Sequence, residues 1–261
     1  MRVLLLPTIV LLLLCQSTPS AQQQLIRVCE SDLDYPPFSY VKISDDGHRY
    51  LDGFSIKLLH RVIDPSVWQV ELVILPFNRC IRDSADLSVA DMVLTASLNA
   101  EREKVFLPSE PFWFAHFHAF YRRAQFPSGL PVEHKQDLRR FHLCGIKGHN
   151  VSMFDIPEAE MDLGSEDYDA VFRKLSLGRC EVFPYNLEVI EGHQLLGKTW
   201  LLGDEFAHQA IRDVKPWPFQ MLIARRYPFA LLLQADINEA LQEMQRSGEL
   251  QTLYQQSLHS K

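Results

Sequence analysis

No C-x-x-C pair, no basic patch and no low-complexity tract occurs in this chain of 261 residues. Without C-x-x-C spacing there is no signal of a zinc ribbon or a dithiol redox centre. With no Lys/Arg cluster interleaved with aromatics, and a formal net charge of −7, nucleic acid is not an expected partner. No internal repeat is visible. After residue 14 no apolar run is long enough to cross a bilayer. No side-chain pair has the look of a nucleophile beside its base, so covalent catalysis has no sequence sign. His116-x-His118 is an incomplete metal site and reads as part of an aromatic strand. Neither a metal nor a cofactor is expected.

What is present begins with an export signal. Arg2 is followed by an almost wholly apolar run over 3–14 and a small, polar segment over 17–21. The run is too short for a spanning helix. Cleavage after Ala21 would leave Gln22 first. Cys15 raises a lipidated alternative, but Leu14 before it is bulky where such signals carry a small residue. Without the signal, residues 1–21, four cysteines remain: Cys29, Cys80, Cys144 and Cys180. In an oxidising compartment an even set favours disulfides, and four cysteines leave three pairings open.

The chain is organised around residues 91–112. Met92 to Leu94 is a short apolar run that reads as a buried strand, with Thr95 and Ser97 at its carboxyl end. Asn99 suits a helix N-cap, which puts Arg102 in the first turn. A cation there opposes the helix dipole. An anion held by Arg102 and the hydroxyls would resolve the conflict. The alternative is an ion pair between Arg102 and Asp91 or Glu101.

Around this stretch the pattern alternates. Residues 25–30 read as a strand, followed by a Pro36-Pro37 turn that carries Asp32, Asp34, Tyr35 and Phe38. Residues 53–63 have a helical apolar face, 68–75 read as a strand and 76–83 as a helix. This β-α-β-α-β order predicts a mainly parallel sheet with helices on its faces. Ligands of such sheets sit at the carboxyl ends of the strands. Residues 112–121 read as one extended strand crossing out of this unit. A second α/β unit follows: a strand at 141–146, a turn at 147–152, a helix at 168–177 and a strand at 179–186. Residues 215–224 cross again, and helices fill 229–258 with a break at Gly248.

Taken in order, these pieces resemble the bacterial extracellular solute-binding proteins of family 3. The resemblance rests on Ile26-Arg-Val, Asp34-Tyr-Pro-Pro-Phe38, Gly53-Phe-Ser-Ile, Ala90-Asp-Met-Val, Asn99-Ala-Glu-Arg102, Ser109-Glu-Pro-Phe112, Leu177-Gly-Arg-Cys-Glu and Ser247-Gly-Glu-Leu. It implies an α/β, two-lobed type II periplasmic binding protein fold, with a ligand cleft between lobes joined by two hinge crossings. Lobe one is expected over 22–117 plus 226–261 and lobe two over 118–225. The resemblance further implies a periplasmic, monomeric protein that captures a small carboxylate, an amino acid or related organic acid, by lobe closure. Its partner would be an ABC permease, or a membrane receptor if the role is sensory.

The same resemblance assigns the site. Arg102 takes the ligand carboxylate with Ser97 and Thr95 in support, while Asp32, Tyr35 and Phe38 bind the amino group and cover the side chain. Two departures stand out. Asn186 falls where an aspartate usually meets the α-amino group, and Lys147-Gly-His149-Asn150 replaces a Gln-Gly-(Ser/Thr)-Thr turn, making that wall more basic. The fold also implies that the strands bearing Cys144 and Cys180 are neighbours, so Cys144–Cys180 is the favoured bridge, followed by Cys29–Cys80. The runner-up activity is a periplasmic dehydratase on prephenate- or arogenate-like acids, with Glu181 or Glu188 as general acid if buried.

Overall fold

The computed structural model describes residues 23–259; the expected signal segment and Cys15 lie outside the described residues. The strands are β1 (Gln24–Ser31), β2 (Tyr40–Ile43), β3 (Arg49–Asp52), β4 (Trp68–Leu75), β5 (Met92–Ala96), β6 (Phe106–Pro108), β7 (Trp113–Ala115), β8 (Phe117–Arg122), β9 (Leu143–Ile146), β10 (Met161–Ser165), β11 (Val182–Asn186), β12 (Phe206–Ala210) and β13 (Trp217–Ala224). The α-helices are α1 (Phe54–Val62), α2 (Phe77–Ala85), α3 (Ala100–Val105), α4 (Tyr168–Ser176), α5 (Leu187–Gly192), α6 (Ala230–Ser247) and α7 (Glu249–Leu258).

Two separate sheets define two lobes. The first runs β4-β1-β5-β13-β6, with β7 also paired to β13; the second runs β10-β9-β11-β8-β12. In each, three neighbouring strands are parallel, β4, β1 and β5 in one and β10, β9 and β11 in the other. The strands that complete each sheet are antiparallel. The helix after each parallel strand covers a face, which is why β5 and β11 are buried along their whole length. The chain leaves the first sheet between Ala115 and Phe117 and returns between Ala210 and Trp217.

Both crossings differ in detail from the sequence expectation. Residues 112–121 are not one strand. They break at His116, whose N–H and Nδ1 meet the Glu188 carboxylate, the ring nitrogen at 2.6 Å. Up to Ala115 the chain pairs with β13, and from Phe117 onward with β11 and β12. The expected lobe division of 118–225 is also off at its far end. Strand β13 pairs with β5, β6 and β7 and so belongs to the first sheet. Apolar patterning marks 217–224 as buried but does not say which sheet buries it.

The loop after β1 is fixed by the helix that follows the β2–β3 hairpin. The first two amides of α1, on Phe54 and Ser55, donate to the carbonyls of Pro37 and Phe38 at 2.7 and 2.8 Å. Gly53 makes this approach possible. Its φ is +123°, and a Cβ there would sit 2.4 Å from the Phe38 carbonyl oxygen. The loop is thereby pulled inward, and the Phe38 ring enters the core among Phe54, Trp113, Phe219 and Tyr254.

Both favoured disulfides are formed, Cys29–Cys80 between β1 and α2 and Cys144–Cys180 from β9 to the residues preceding β11. Each ties a helix or strand entry to the sheet of its own lobe, so neither restrains one lobe against the other. They close chain separations of 51 and 36 residues. Because a large core remains without them, the loss per bridge should fall at the low end of the usual range, about 2 kcal/mol. Calorimetry of Cys144→Ser and Cys29→Ser should therefore show Tm about 4–8 °C below wild type. Four free thiols on non-reducing peptide mapping would contradict the pairing.

Candidate functional site

A cavity lies between the lobes at the carboxyl ends of β1, β5 and β11. Its walls are Glu30, Ser31, Tyr35, Phe77, Thr95, Ala96, Ser97, Arg102 and Phe219 from the first lobe. Phe117, His149, Asn150, Met153, Tyr185 and Asn186 come from the second. About 520 Å³ of space lies between these walls, part of it open to solvent. The lobes also touch directly. Asn150 Nδ2 donates to Ser97 Oγ at 3.0 Å, and Asn186 Nδ2 to Tyr35 Oη at 3.2 Å. This is a closed arrangement.

Arg102 stands where the sequence puts it. Asn99 caps α3, its side chain accepting from the Arg102 N–H at 2.9 Å. That fixes the arginine's backbone and aims its side chain back along the β5 end. The residue is only 8% exposed. Its Nη1 donates to Ser97 O at 2.7 Å, and its guanidinium lies 5.2 Å from the Phe77 ring centroid. No carboxylate among the described residues is salt-bridged to it. Both anticipated partners are engaged elsewhere: Asp91 with Arg27 at 2.7 Å and Glu101 with Lys104 at 2.6 Å. Burial pushes the Arg102 guanidinium down to about 10, against a weaker opposing pull from the Glu158 charge. The remaining guanidinium donors are thus offered to the cavity in the fork geometry that matches a carboxylate.

Ser97 uses its oxygen to accept from Asn150, which leaves its hydroxyl proton available. Thr95 does not serve the ligand position in the same way. Its hydroxyl donates to Glu30 Oε2 at 2.9 Å.

Glu30 is the residue that the sequence reading missed. It is 2% exposed, with Oε1 accepting from the Ser31 N–H at 2.9 Å. Burial drives its carboxyl up to about 7, against the opposing pull of the Ser31 and Thr95 hydrogen bonds. The available signal was the one carboxylate of its strand, placed at the carboxyl edge of a parallel sheet.

The second-lobe wall is polar but not basic. His149 bonds through Nδ1 to Tyr185 Oη, which also meets Tyr168 Oη at 3.0 Å. Burial, aided by the Arg102 charge, pushes His149 down to about 4, so it is neutral at physiological pH. Lys147 is exposed and borders an outer hollow with Asp32, Arg79 and Arg82. The basic wall expected from Lys147 and His149 is therefore absent from the inner cavity.

Seven of the ten predicted binding residues line that cavity: Tyr35, Thr95, Ser97, Arg102, His149, Asn150 and Asn186. Asp32, Phe38 and Lys147 do not. Asp32 is exposed because β1 delivers Glu30 inward, and the chain then turns outward. Phe38 sits behind the wall, 5.0 Å from the Phe219 ring, and supports it. The two acids considered for a dehydratase also lie elsewhere. Glu181 accepts from the His142 N–H and from Gln125, and Glu188 holds His116 at the crossing.

Over residues 27–260 the sequence matches the bacterial extracellular solute-binding proteins, family 3, and the chain belongs to that family. Among solved structures it is similar to the substrate-binding protein of an amino acid ABC transporter. That match has a TM-score of 0.69 and 17% identity, covering 91% of this chain and 100% of the other. A second is an amino acid ABC transporter substrate-binding protein from Streptococcus pneumoniae bound to L-arginine, with TM-score 0.68, 17% identity, and 90% and 94% of the two chains covered. A third is an ancestral amino acid-binding protein described as a precursor of cyclohexadienyl dehydratase, with TM-score 0.65, 18% identity, and 90% and 95% covered. The fold is thus the type II periplasmic binding fold. A sequence search of curated proteins gives no match.

Proposed function

We propose that this protein captures a small carboxylate, an amino acid or related organic acid, by closing its lobes on it in the periplasm. It would then pass the ligand to an ABC permease without chemical change. One observation carries the reading: Arg102 is buried in the interlobe cavity with no carboxylate among the described residues paired to it. A buried cation is costly unless something compensates it. A ligand carboxylate bound in two parallel N–H···O bonds does so. Ser97, with its proton uncommitted, adds a third bond.

A ligand that binds only the closed form raises the melting temperature with its concentration. Purified protein screened against amino acids and organic acids should give at least one carboxylate that raises Tm. A flat response across the panel would remove this reading. Prephenate and arogenate belong in the same panel, followed by a product assay, because a structurally similar protein is described as a dehydratase precursor. Turnover at a catalytic rate would replace binding by catalysis as the function. A permease and an ATPase encoded beside this chain, with uptake lost on its deletion, would support import over a sensory role.

Ser97→Ala removes one hydrogen bond to a charged group, worth about 1.5 kcal/mol. Calorimetric titration should show affinity reduced roughly tenfold. The Asn150 amide also loses its acceptor across the lobes, so slower closure should accompany the loss. An unaltered affinity would mean that Ser97 neither bonds the ligand nor steadies the closed form.

A further inference from the structure

We infer that His149 gates lobe closure: the turn that carries it can seat against the first lobe only with an uncharged ring at this position. This rests on the proposed capture by closure and adds a condition to it, so that an acid medium favours the open, ligand-free form.

The turn over 147–150, after β9, is where the second lobe meets the first. The His149 ring lies 5.8 Å from the Phe77 ring and 6.0 Å from the Tyr35 ring, both of the first lobe. On one side of it, a Cβ built on Gly148 would lie 3.1 Å from Asn78 Cβ in α2. On the other, Asn150 donates to Ser97. Its own lobe supplies Tyr185 Oη at Nδ1, backed by Tyr168. Opening therefore takes Phe77, Tyr35 and Arg102 away from the ring and returns it to water, while the Tyr185 contact travels with it.

The charges around the ring set the sign. Arg102 of α3 lines the same cavity, and its charge acts against a proton on His149. Burial holds the Tyr35, Tyr168 and Tyr185 hydroxyls well above the usual tyrosine range, so all three stay neutral. Phe77 and Asn78 bring no charge from α2. Glu30 shares the inner cavity. The outer hollow, which the ring also lines, holds Asp32 and Glu166 beside Lys147, Arg79 and Arg82. Among the described residues, no hydrogen bond or salt bridge ties His149 to any of these acids. An imidazolium in the closed cleft would thus be a second buried cation beside Arg102, without a paired anion. A ligand carboxylate committed to the Arg102 fork answers one of the two charges and leaves the other.

Proton linkage gives the direction. In the closed form burial pushes the ring down to about 4, whereas in the open form it regains the ordinary histidine range. Above that range the ring is neutral in both forms, and closure carries no cost from it. As the pH falls below it, the open form takes up a proton that the closed form refuses. Apparent affinity then declines by up to about tenfold per pH unit until the closed form also protonates. Glu30 titrates with the opposite sign, since burial drives its carboxyl up to about 7.

Wild type, His149→Gln and His149→Phe are therefore compared with one another at two pH values. Each is titrated calorimetrically with L-arginine, L-glutamine and glutarate at about pH 7.5 and about pH 5, and the probe that binds wild type most tightly is followed. The loss of affinity on acidification should be at least roughly fivefold greater in wild type than in either variant. Titration of Glu30 or of the probe is common to all three proteins and cancels in this comparison. Gln keeps a polar group and Phe keeps a ring, so a packing or hydrogen-bonding role would separate the two variants, whereas a lost proton affects both alike. The His149 ring resonance, assigned by its absence from the variants, should titrate in the ordinary histidine range without probe. At probe saturation it should titrate more than about one pH unit lower. A resonance that titrates at the same pH in both states would overturn the gate, as would a wild-type acid loss shared by both variants. Either result would leave carboxylate capture by Arg102 standing. Failure of all three probes to bind wild type at neutral pH would count against that capture itself, and this inference would fall with it.

Discussion

Replacing Arg102 with alanine is expected to weaken ligand affinity by roughly 30-fold to several thousand-fold, the equivalent of about 2–5 kcal/mol for one partner of a desolvated charge pair. The loss should be accompanied by an unchanged or higher melting temperature of the unliganded protein, and this pairing of effects is what makes the variant decisive. Were Arg102 a structural ion-pair residue, its removal would strand a carboxylate and lower Tm. Its candidate partners, however, are already neutralised by Arg27 and Lys104. The linkage has a definite sign. Burial lowers the folded-state value to about 10, below the ordinary arginine range. The folded protein thus gives up this proton more readily than the unfolded chain. The group's charge therefore opposes folding at every pH below about 10, and the cost is relieved only as the pH rises above that value toward the ordinary arginine range. Alanine removes that cost at neutral pH, and also removes the ligand's anchor. Arg102→Lys should recover part of the affinity, since a point charge replaces a planar fork. Calorimetric titration of the three proteins with one carboxylate that raises wild-type Tm checks the order Arg, Lys, Ala. A folded Arg102→Ala protein with wild-type affinity would remove the centre of the proposed function.

How much of this was legible in the sequence depended on which interactions are local. Asn99 capping its own helix and the strand-end position of Thr95 and Ser97 involve residues a few places apart, so spacing alone located them and Arg102 with them. The disulfides were legible once neighbouring strands could be assigned by resemblance. Residues whose direction is set from far away were not. Phe38 reads as a ligand-covering ring beside Tyr35, yet the amides of α1, sixteen residues on, turn it into the core. Lys147 and His149 are both basic in a sequence, but one is in water while the other is buried against Tyr185 and discharged. Strand β13 is equally apolar in either lobe, and only its pairing with β5 and β6 decides its sheet. Glu30 was within reach. The strand carried one acid, at the edge where ligands bind, and it was read as the end of the strand rather than as part of the site.

Gly192→Ala should cut ligand affinity on the order of 100-fold while leaving the unliganded protein as stable as wild type or slightly more so. Gly192 ends α5 in the second lobe, and it meets the Pro36-Pro37 turn of the first. A Cβ built there lies 2.4 Å from the Pro36 carbonyl oxygen, 2.5 Å from its carbonyl carbon and 2.7 Å from the Pro37 nitrogen. These are backbone atoms, and the turn is held by the Tyr35–Ser39 bonds and by the α1 amides. No side chain can swing aside to admit a methyl group. Overpacking of this kind typically costs about 1–3 kcal/mol, and a contact with unyielding backbone falls at the upper end. A two-lobed protein can escape the clash by opening. The cost then falls on closure, and the apparent affinity drops with the fraction of molecules able to close. Backbone strain does not confuse the result, because Gly192 has φ −58° and ψ −29°, which alanine adopts freely. In a helix alanine is favoured over glycine by about 0.5–1 kcal/mol, so the open protein gains a little. Gly203→Ala is the control, since its Cβ would meet nothing within 4 Å; it should bind as wild type does. Titration gives the affinities, and solution scattering with and without ligand reads the closure directly. Wild type should contract when ligand is added, whereas Gly192→Ala at the same ligand concentration should remain extended. If Gly192→Ala contracts and binds as wild type does, the Pro36 turn yields after all, and the contact between α5 and that turn does not govern closure.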